Sequence, residues 1–282
     1  MPAPRIAVVT DSTACLPDQL TAHWAVGVVQ LQLQLDGRVD DEHRFNRVKL
    51  IEAMRDGRPV GTAPPDPGAF FWTYQDAVSR GATAIVSLHI SGRMSETVRI
   101  AREAAQQIRV PVHVVDSRTT GMSLGFGVIS AARAAAAGAT AMQVIKAAER
   151  RFRASTELIY VDTLEHLRRG GRIGAAQALL GTALSIKPLL TVDTGQVAPL
   201  AKVRSEKRAL AKMVDLAVKT AGGRRVDIAI TRFGADDREL EIGMQLRRRV
   251  GGLADSMHVE VSTIIGAHVG PGALGITVSP VN

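Results

Sequence analysis

Side chains able to hold or polarise a ligand recur in this chain directly after short apolar runs. Asp11-Ser12-Thr13 follows Arg5–Thr10, and Thr62 stands in the Pro-rich segment 61–68. Ser91 and Ser95 follow Thr83–His89, while Asp116, Ser117 and Thr119 follow Val110–Val115. In an open α/β sheet, ligands sit outside the carboxyl ends of the strands. Loops of this kind from one sheet would form a polar rim over an aliphatic core. Their hydroxyls donate hydrogen bonds. The N-terminus of a helix beginning at Ser95, its expected N-cap, adds partial positive charge. Such a rim suits an amphiphilic ligand with an anionic head. Each residue is also an ordinary turn former or cap, so only their convergence argues for a site.

The same residues leave other chemistry open. Asp11 and Asp116 are candidate Mg²⁺ ligands for phosphoryl transfer, although the chain lacks the P-loop word G-x-x-x-x-G-K-[ST]. Bracing their own loops is the plainer role for both. His268, set among glycines in a segment read as a loop, offers a base to Ser91 or Ser95 for a hydrolase. It has no cysteine or second histidine at metal-ligand spacing. The literal G-x-G-x-x-G at Gly270–Gly275 is no dinucleotide fingerprint: only seven residues follow it, and they read as a strand.

Those groups are positioned by an alternation of apolar strands and amphipathic helices. Strands are expected at Arg5–Thr10, Val28–Leu35, Thr83–His89 and Val110–Val115, with helices over Phe45–Arg55, Ala69–Arg80, Leu124–Ala137 and Ala141–Phe152. Strand, polar loop and helix in succession is the pattern of a mainly parallel α/β sheet. After residue 153 the pattern changes. A strand over Glu157–Val161 precedes a short helix with Leu164 and Leu167. Gly170-Gly171 reads as its C-cap, with Arg168 and Arg169 in the last turn. Ile173, Ala176, Leu179, Leu180 and Leu184 then follow helical spacing. Pro188–Val192 and Gln196–Val203 form a hairpin about Asp193-Thr194-Gly195. Helices over Glu206–Thr220 and Asp237–Val250 alternate with strands at Val226–Thr231, Val259–Ile264 and Leu274–Val278. The chain reads as α/β in two domains, 1–153 with a mainly parallel sheet and 154–282 with a mixed sheet.

Composition narrows the function classes. Hydrophobic residues make up 46% of the 282 residues, charged ones 22% and aromatics 4%, which gives a soluble protein with an aliphatic core. The net charge of +8 is spread along the chain, its largest cluster being Arg247-Arg248-Arg249. A nucleic-acid binder would gather basic and aromatic residues on one face, so the charge is read as attraction for an anionic ligand or an acidic partner. One cysteine, Cys15, precludes an internal disulfide and suits a reducing cytoplasm. The N-terminus does not read as a signal peptide, and no apolar run approaches the ~20 residues that span a bilayer.

Several words go beyond what caps and turns require. Tyr160–Ile173 reads YVDTLEHLRRGGRI, Leu179–Leu190 reads LLGTALSIKPLL, and Lys202–Arg204 reads KVR. They resemble the signature of the DegV family of bacterial fatty-acid-binding proteins, and the resemblance spans nearly the whole chain. IAVVTDSTACLP resembles the family opening, with Cys15 where Asp is usual. GTAPPDPGAF resembles a T-S-x-P-S segment, departing at Ala63 and Asp66. SGRMSET resembles S-S-x-L-S-G-T, with Gly92 and Glu96 as departures. VVDSRTTGMSLG and GAHVGPGALGI complete the set.

The resemblance implies a two-domain carrier, not itself an enzyme and without a cofactor. It would hold one long-chain fatty acid between its domains. A separate fatty acid kinase would phosphorylate the presented carboxylate to an acyl phosphate, with transient membrane-surface contact possible. By the same resemblance, Thr62, Ser95 (with Ser91 as the second candidate) and His268 hold the carboxylate. Arg172 and Arg204 lie near the mouth, where the partner or its phosphate docks.

Overall fold

A computed structural model describes residues 5–179, 187–234 and 237–281. Strands β1 (Ile6–Asp11) and β2 (Gly27–Val29) belong to one sheet; β3 (Gln32–Leu35), β4 (Arg38–Asp41) and β5 (Val60–Ala63) belong to another. Strands β6 (Ala84–His89) and β7 (Val112–Asp116) return to the first, whose order is β2-β1-β6-β7, all parallel. Its interior strand β6 is buried along its whole length, as a strand covered by helices on both faces must be.

The continuous strand expected over Val28–Leu35 is divided. Its alternation is real, but β2 pairs with β1, whereas β3 pairs antiparallel with β4 and β5 in a separate three-stranded sheet. Asp36 and Gly37, both at positive φ, make the tight β3–β4 turn that the Asp-Gly pair predicts. Thr62 therefore lies on β5, opposite Leu33, and not in a loop of the parallel sheet. Asp66 caps the next helix, Pro67–Ser79, by accepting from Gly68 N at 2.7 Å.

The second half carries β8 (Thr156–Tyr160), β9 (Lys187–Asp193), β10 (Gln196–Val203), β11 (Val226–Phe233), β12 (Leu253–Glu260) and β13 (Ala273–Pro280). Their order is β10-β9-β8-β13-β11-β12, with only the β11–β12 pair parallel, so the sheet is mixed as expected. The strand predicted over Val259–Ile264 is displaced. The true strand β12 is a polar edge, LADSMHVE, whose exposed side chains hide it from an apolar-run reading. Ser262 then caps a helix, Thr263–Val269. A 3-10 turn occupies Gly174–Leu179, while Leu180 and Leu184 of the predicted helical run lie outside the described residues.

The largest apolar cluster joins the two halves. Leu31, Leu33, Leu50 and Met54 pack in it with Leu167, Ile173, Phe233 and Ile264. Arg151, in the helix Ala141–Ala154, adds a largely buried ion pair to Asp227 on β11.

Candidate ligand site

The helix Thr263–Val269 is held at its start by residues from the first half. Glu42 accepts from Ser262 Oγ at 2.8 Å, Thr263 Oγ1 at 2.7 Å and Ile264 N at 3.4 Å, where a carboxylate suits the positive end of the helix. Cys15 Sγ accepts from Ser262 N at 3.2 Å. Burial pushes the Cys15 thiol up to about 12, so it acts as a neutral brace. This double clamp sets the helix whose last turn carries His268, a residue the sequence reading placed in a loop.

The glycine doublet fixes the ring of that histidine. Gly171, at φ +66°, and Arg172 return hydrogen bonds to Arg168 O (3.1 Å) and Leu167 O (3.0 Å), completing a Schellman cap. Gly170 has an ordinary φ, yet a Cβ there would fall 2.1 Å from His268 Nδ1. One glycine serves the turn and the other makes room for the imidazole.

On its other side His268 Nε2 lies 2.8 Å from Thr62 Oγ1. Around this pair is a cavity of about 80 Å³, walled by Leu31, Ile90, Met94, Ile159, Ile264 and Val269, with Ser95 and Arg172 also on its wall. Since one water needs roughly 10–15 Å³, the space has room for several waters or a small part of a ligand. Burial, and secondarily the Arg172 charge, pull the His268 pKa from 6.5 down to about 4, so the ring is neutral at pH 7. Its Nδ1 is buried without a hydrogen-bond partner. Arg172 is exposed and anchored by Met94 O at 3.0 Å and Gly170 O at 2.9 Å. Thr62, His268 and Arg172 thus line one largely apolar cavity. That set can receive an anion, whose charge would raise the His268 pKa and favour the imidazolium.

Other sequence candidates stand elsewhere. Ser91 is buried and donates to Gly195 O at 2.7 Å, outside the wall of the slot. Ser95 lines the slot, but Glu96 is the cap residue of the helix Thr97–Ala105. Ser95 Oγ lies 2.8 Å from Thr97 Oγ1. The Glu96 carboxylate turns to Arg99 at 2.7 Å, so its charge is answered on the surface. Arg204 is exposed just beyond β10 and does not line the slot.

Asp116 accepts from Gly92 N at 3.2 Å and Arg118 N at 2.8 Å, bracing two loops. Asp11 accepts from Thr13 N, Ile90 N and His89 Nδ1, each at 3.0 Å. His89 Nε2 meets Ser87 Oγ at 2.6 Å, and that hydroxyl meets Tyr74 OH at 2.8 Å. The order Asp-His-Ser is that of a hydrolase relay. All four side chains are sealed in the core, however, and Ser87 and His89 border none of the cavities described, so the relay is a strut.

Sequence reasoning overlooked a second cavity, of about 40 Å³, that shares Thr120, Ile159, Ile265 and Val269 with the first. Glu157 lies on its wall, and its signal was legible: it is the one charge in the apolar strand TELIY. Glu42 carried no such signal. The word Gly121-Met122-Ser123-Leu124-Gly125 also fits G-x-S-x-G. Ser123 is buried inside the helix Gly121–Ala136 and is not presented at an exposed elbow.

The family model described as "Uncharacterised protein, DegV family" matches residues 5–281. A DegV domain-containing protein of Streptomyces coelicolor is 45% identical over 276 residues, 98% of each chain. One from Deinococcus radiodurans is 37% identical, covering 98% of this chain and 99% of that one. Among solved structures, a fatty-acid-binding DegV family protein from Thermus thermophilus superposes with TM-score 0.92 at 32% identity, over 98% of this chain and 100% of its own. DegV of Bacillus subtilis, described as a fatty acid binding protein, gives 0.89 at 26% identity, over 99% and 100%. The chain belongs to the DegV family.

Proposed function

We propose that this protein is a carrier which holds one long-chain fatty acid and performs no chemistry on it. The acyl chain runs along the apolar slot between the halves, divided near residue 153. Its carboxylate rests against Thr62, Ser95 and His268 for delivery to a separate fatty acid kinase, which forms the acyl phosphate. The observation that carries this reading is the Thr62–His268 hydrogen bond of 2.8 Å on the wall of a cavity otherwise lined mainly by aliphatic side chains. The fatty-acid binding ascribed to the Thermus thermophilus and Bacillus subtilis relatives supports it. Arg172, on the cavity wall, and Arg204, exposed just beyond β10, are assigned to the kinase or its phosphate. No cofactor enters this scheme, and its place is the cytoplasm, with membrane-surface contact only in passing.

Energetics divide the labour. Burying about 14 methylenes at ~0.8 kcal/mol each offers roughly 11 kcal/mol before ordering costs, so the tail dominates affinity. Head-group hydrogen bonds contribute about 1–3 kcal/mol each and chiefly orient the acid. Mass spectrometry of an organic extract of the pure protein tests the reading. A stoichiometric fatty acid is expected; an empty protein that turns over a small substrate alone would reverse it.

A further inference from the structure

The second cavity is apolar on most of its wall but not on all of it. Met122, Val261, Ile265, Ala273 and Leu274 line it together with Thr120, Thr231 and Glu157. Thr120 Oγ1 is buried without a hydrogen-bond partner, although Thr120 is the cap residue of the helix Gly121–Ala136, where such a hydroxyl ordinarily bonds the first turn. Thr231 is on the same wall, and its Oγ1 lies 2.4 Å from where a Cβ on Gly275 would fall, so the glycine leaves that hydroxyl room.

Glu157 accepts from Ser123 N at 2.7 Å and from Thr277 Oγ1 at 2.9 Å. Burial holds its carboxyl above the usual carboxylate range, which favours a protonated group able to donate as well as accept. A plain alkyl chain laid here would leave the Thr120 hydroxyl unpaired and offer Glu157 nothing beyond the partners it already has. Buried polar groups left unpaired cost free energy, and a ligand atom that pairs them recovers it.

We infer that the inner part of the slot is built for an acyl chain bearing a hydrogen-bonding substituent, a hydroxyl or oxo group, which pairs with Thr120, Thr231 and Glu157. This rests on the carrier reading and deepens it by naming a class of acid. The carboxylate stays at Thr62 and His268; the substituent lies farther along, beyond Ile159, which walls both cavities. On β8, Ile159 and Glu157 are two residues apart and therefore share a face, so one strand passes from apolar to polar lining as it runs inward.

The test is a competition between stearic acid and positional isomers of mid-chain hydroxystearic acid for the delipidated full-length protein. At least one isomer is expected to bind about tenfold or more tightly than stearic acid, the size of one recovered buried hydrogen bond. Thr120→Val should bring that ratio close to one. Thr231→Val, on a different element, should lower it independently; folding of both variants is checked by circular dichroism and thermal melting. Equal affinities for all acids, or tighter binding of stearic acid, would overturn the inference while leaving the carrier intact. Binding of neither class would remove the carrier and the inference together. A preference that survives both substitutions would show that these hydroxyls do not read the substituent.

Discussion

The strut beneath the parallel sheet and the mouth of the slot use the same kinds of side chain. Asp11, His89, Ser87 and Tyr74 form a continuous hydrogen-bonded line in which each group is fully buried and partnered. His268 is also buried, but only Nε2 is engaged, by Thr62, and Nδ1 has no partner. A saturated polar network rigidifies a core, whereas an incompletely satisfied one that borders a cavity retains capacity for a ligand. Residue type does not separate the two regions. What does is whether the hydrogen-bonding groups have been used up by the fold.

That contrast can be broken experimentally, and the largest effect belongs to the strut. Asp11→Ala strands Thr13 N, Ile90 N and His89 in the core. Unfolding in urea should register a loss of roughly 3–5 kcal/mol, and a loss below about 1 kcal/mol would make the strut dispensable. Acid should act next, through the mouth. Because the folded His268 pKa lies near 4, below its ordinary 6.5, the unfolded state binds the extra proton between those values. The contribution is complete above about pH 6.5 and is lost as pH falls towards about 4, amounting to roughly 3 kcal/mol. His268→Gln should flatten that segment of the stability–pH curve, and bound fatty acid, whose carboxylate raises the His268 pKa, should shrink it from its acid end.

Gly170→Ala comes third. The added methyl meets the His268 ring, so a cost of about 1–3 kcal/mol is expected by thermal melting, together with weaker ligand retention. His268→Ala and Ser95→Ala should each reduce acyl-phosphate formation by the proposed kinase about tenfold or more, near 1.4 kcal/mol, while most co-purified lipid remains. Equal losses of both would count against a division between head and tail. The smallest effect is expected at Glu96→Gln, whose partner Arg99 is exposed: neither melting temperature nor ligand occupancy should change measurably.

Much of this was legible beforehand because it is local. The hairpin at Thr194-Gly195, both at positive φ, and the Schellman cap at Gly171 follow from what each short segment can do alone. Misreadings came where solvent exposure or long-range pairing decided the outcome. Polar β12 is a strand because β11 pairs with it, and Val28–Leu35 splits because its two ends pair with different sheets. Thr62 lines the cavity from β5, not from the loop of the parallel sheet that was expected. The rim imagined over a single sheet is a mouth assembled from β5, the loop after β6 and the helix Thr263–Val269.

By itself, the order of residues determined the α/β class, the aliphatic character of the core, and the words that carry Thr62, Ser95, Arg172 and His268. Periodicity and turn chemistry act over a few residues, so they survive in a linear reading. Only the tertiary structure decided that Asp11 and Ser91 are consumed internally, that Gly170 makes room for an imidazole, and that Glu157 and Thr120 wall the second cavity. Hydrogen-bond satisfaction depends on which distant groups meet, and residues 62 and 268 become partners only when the two halves pack together.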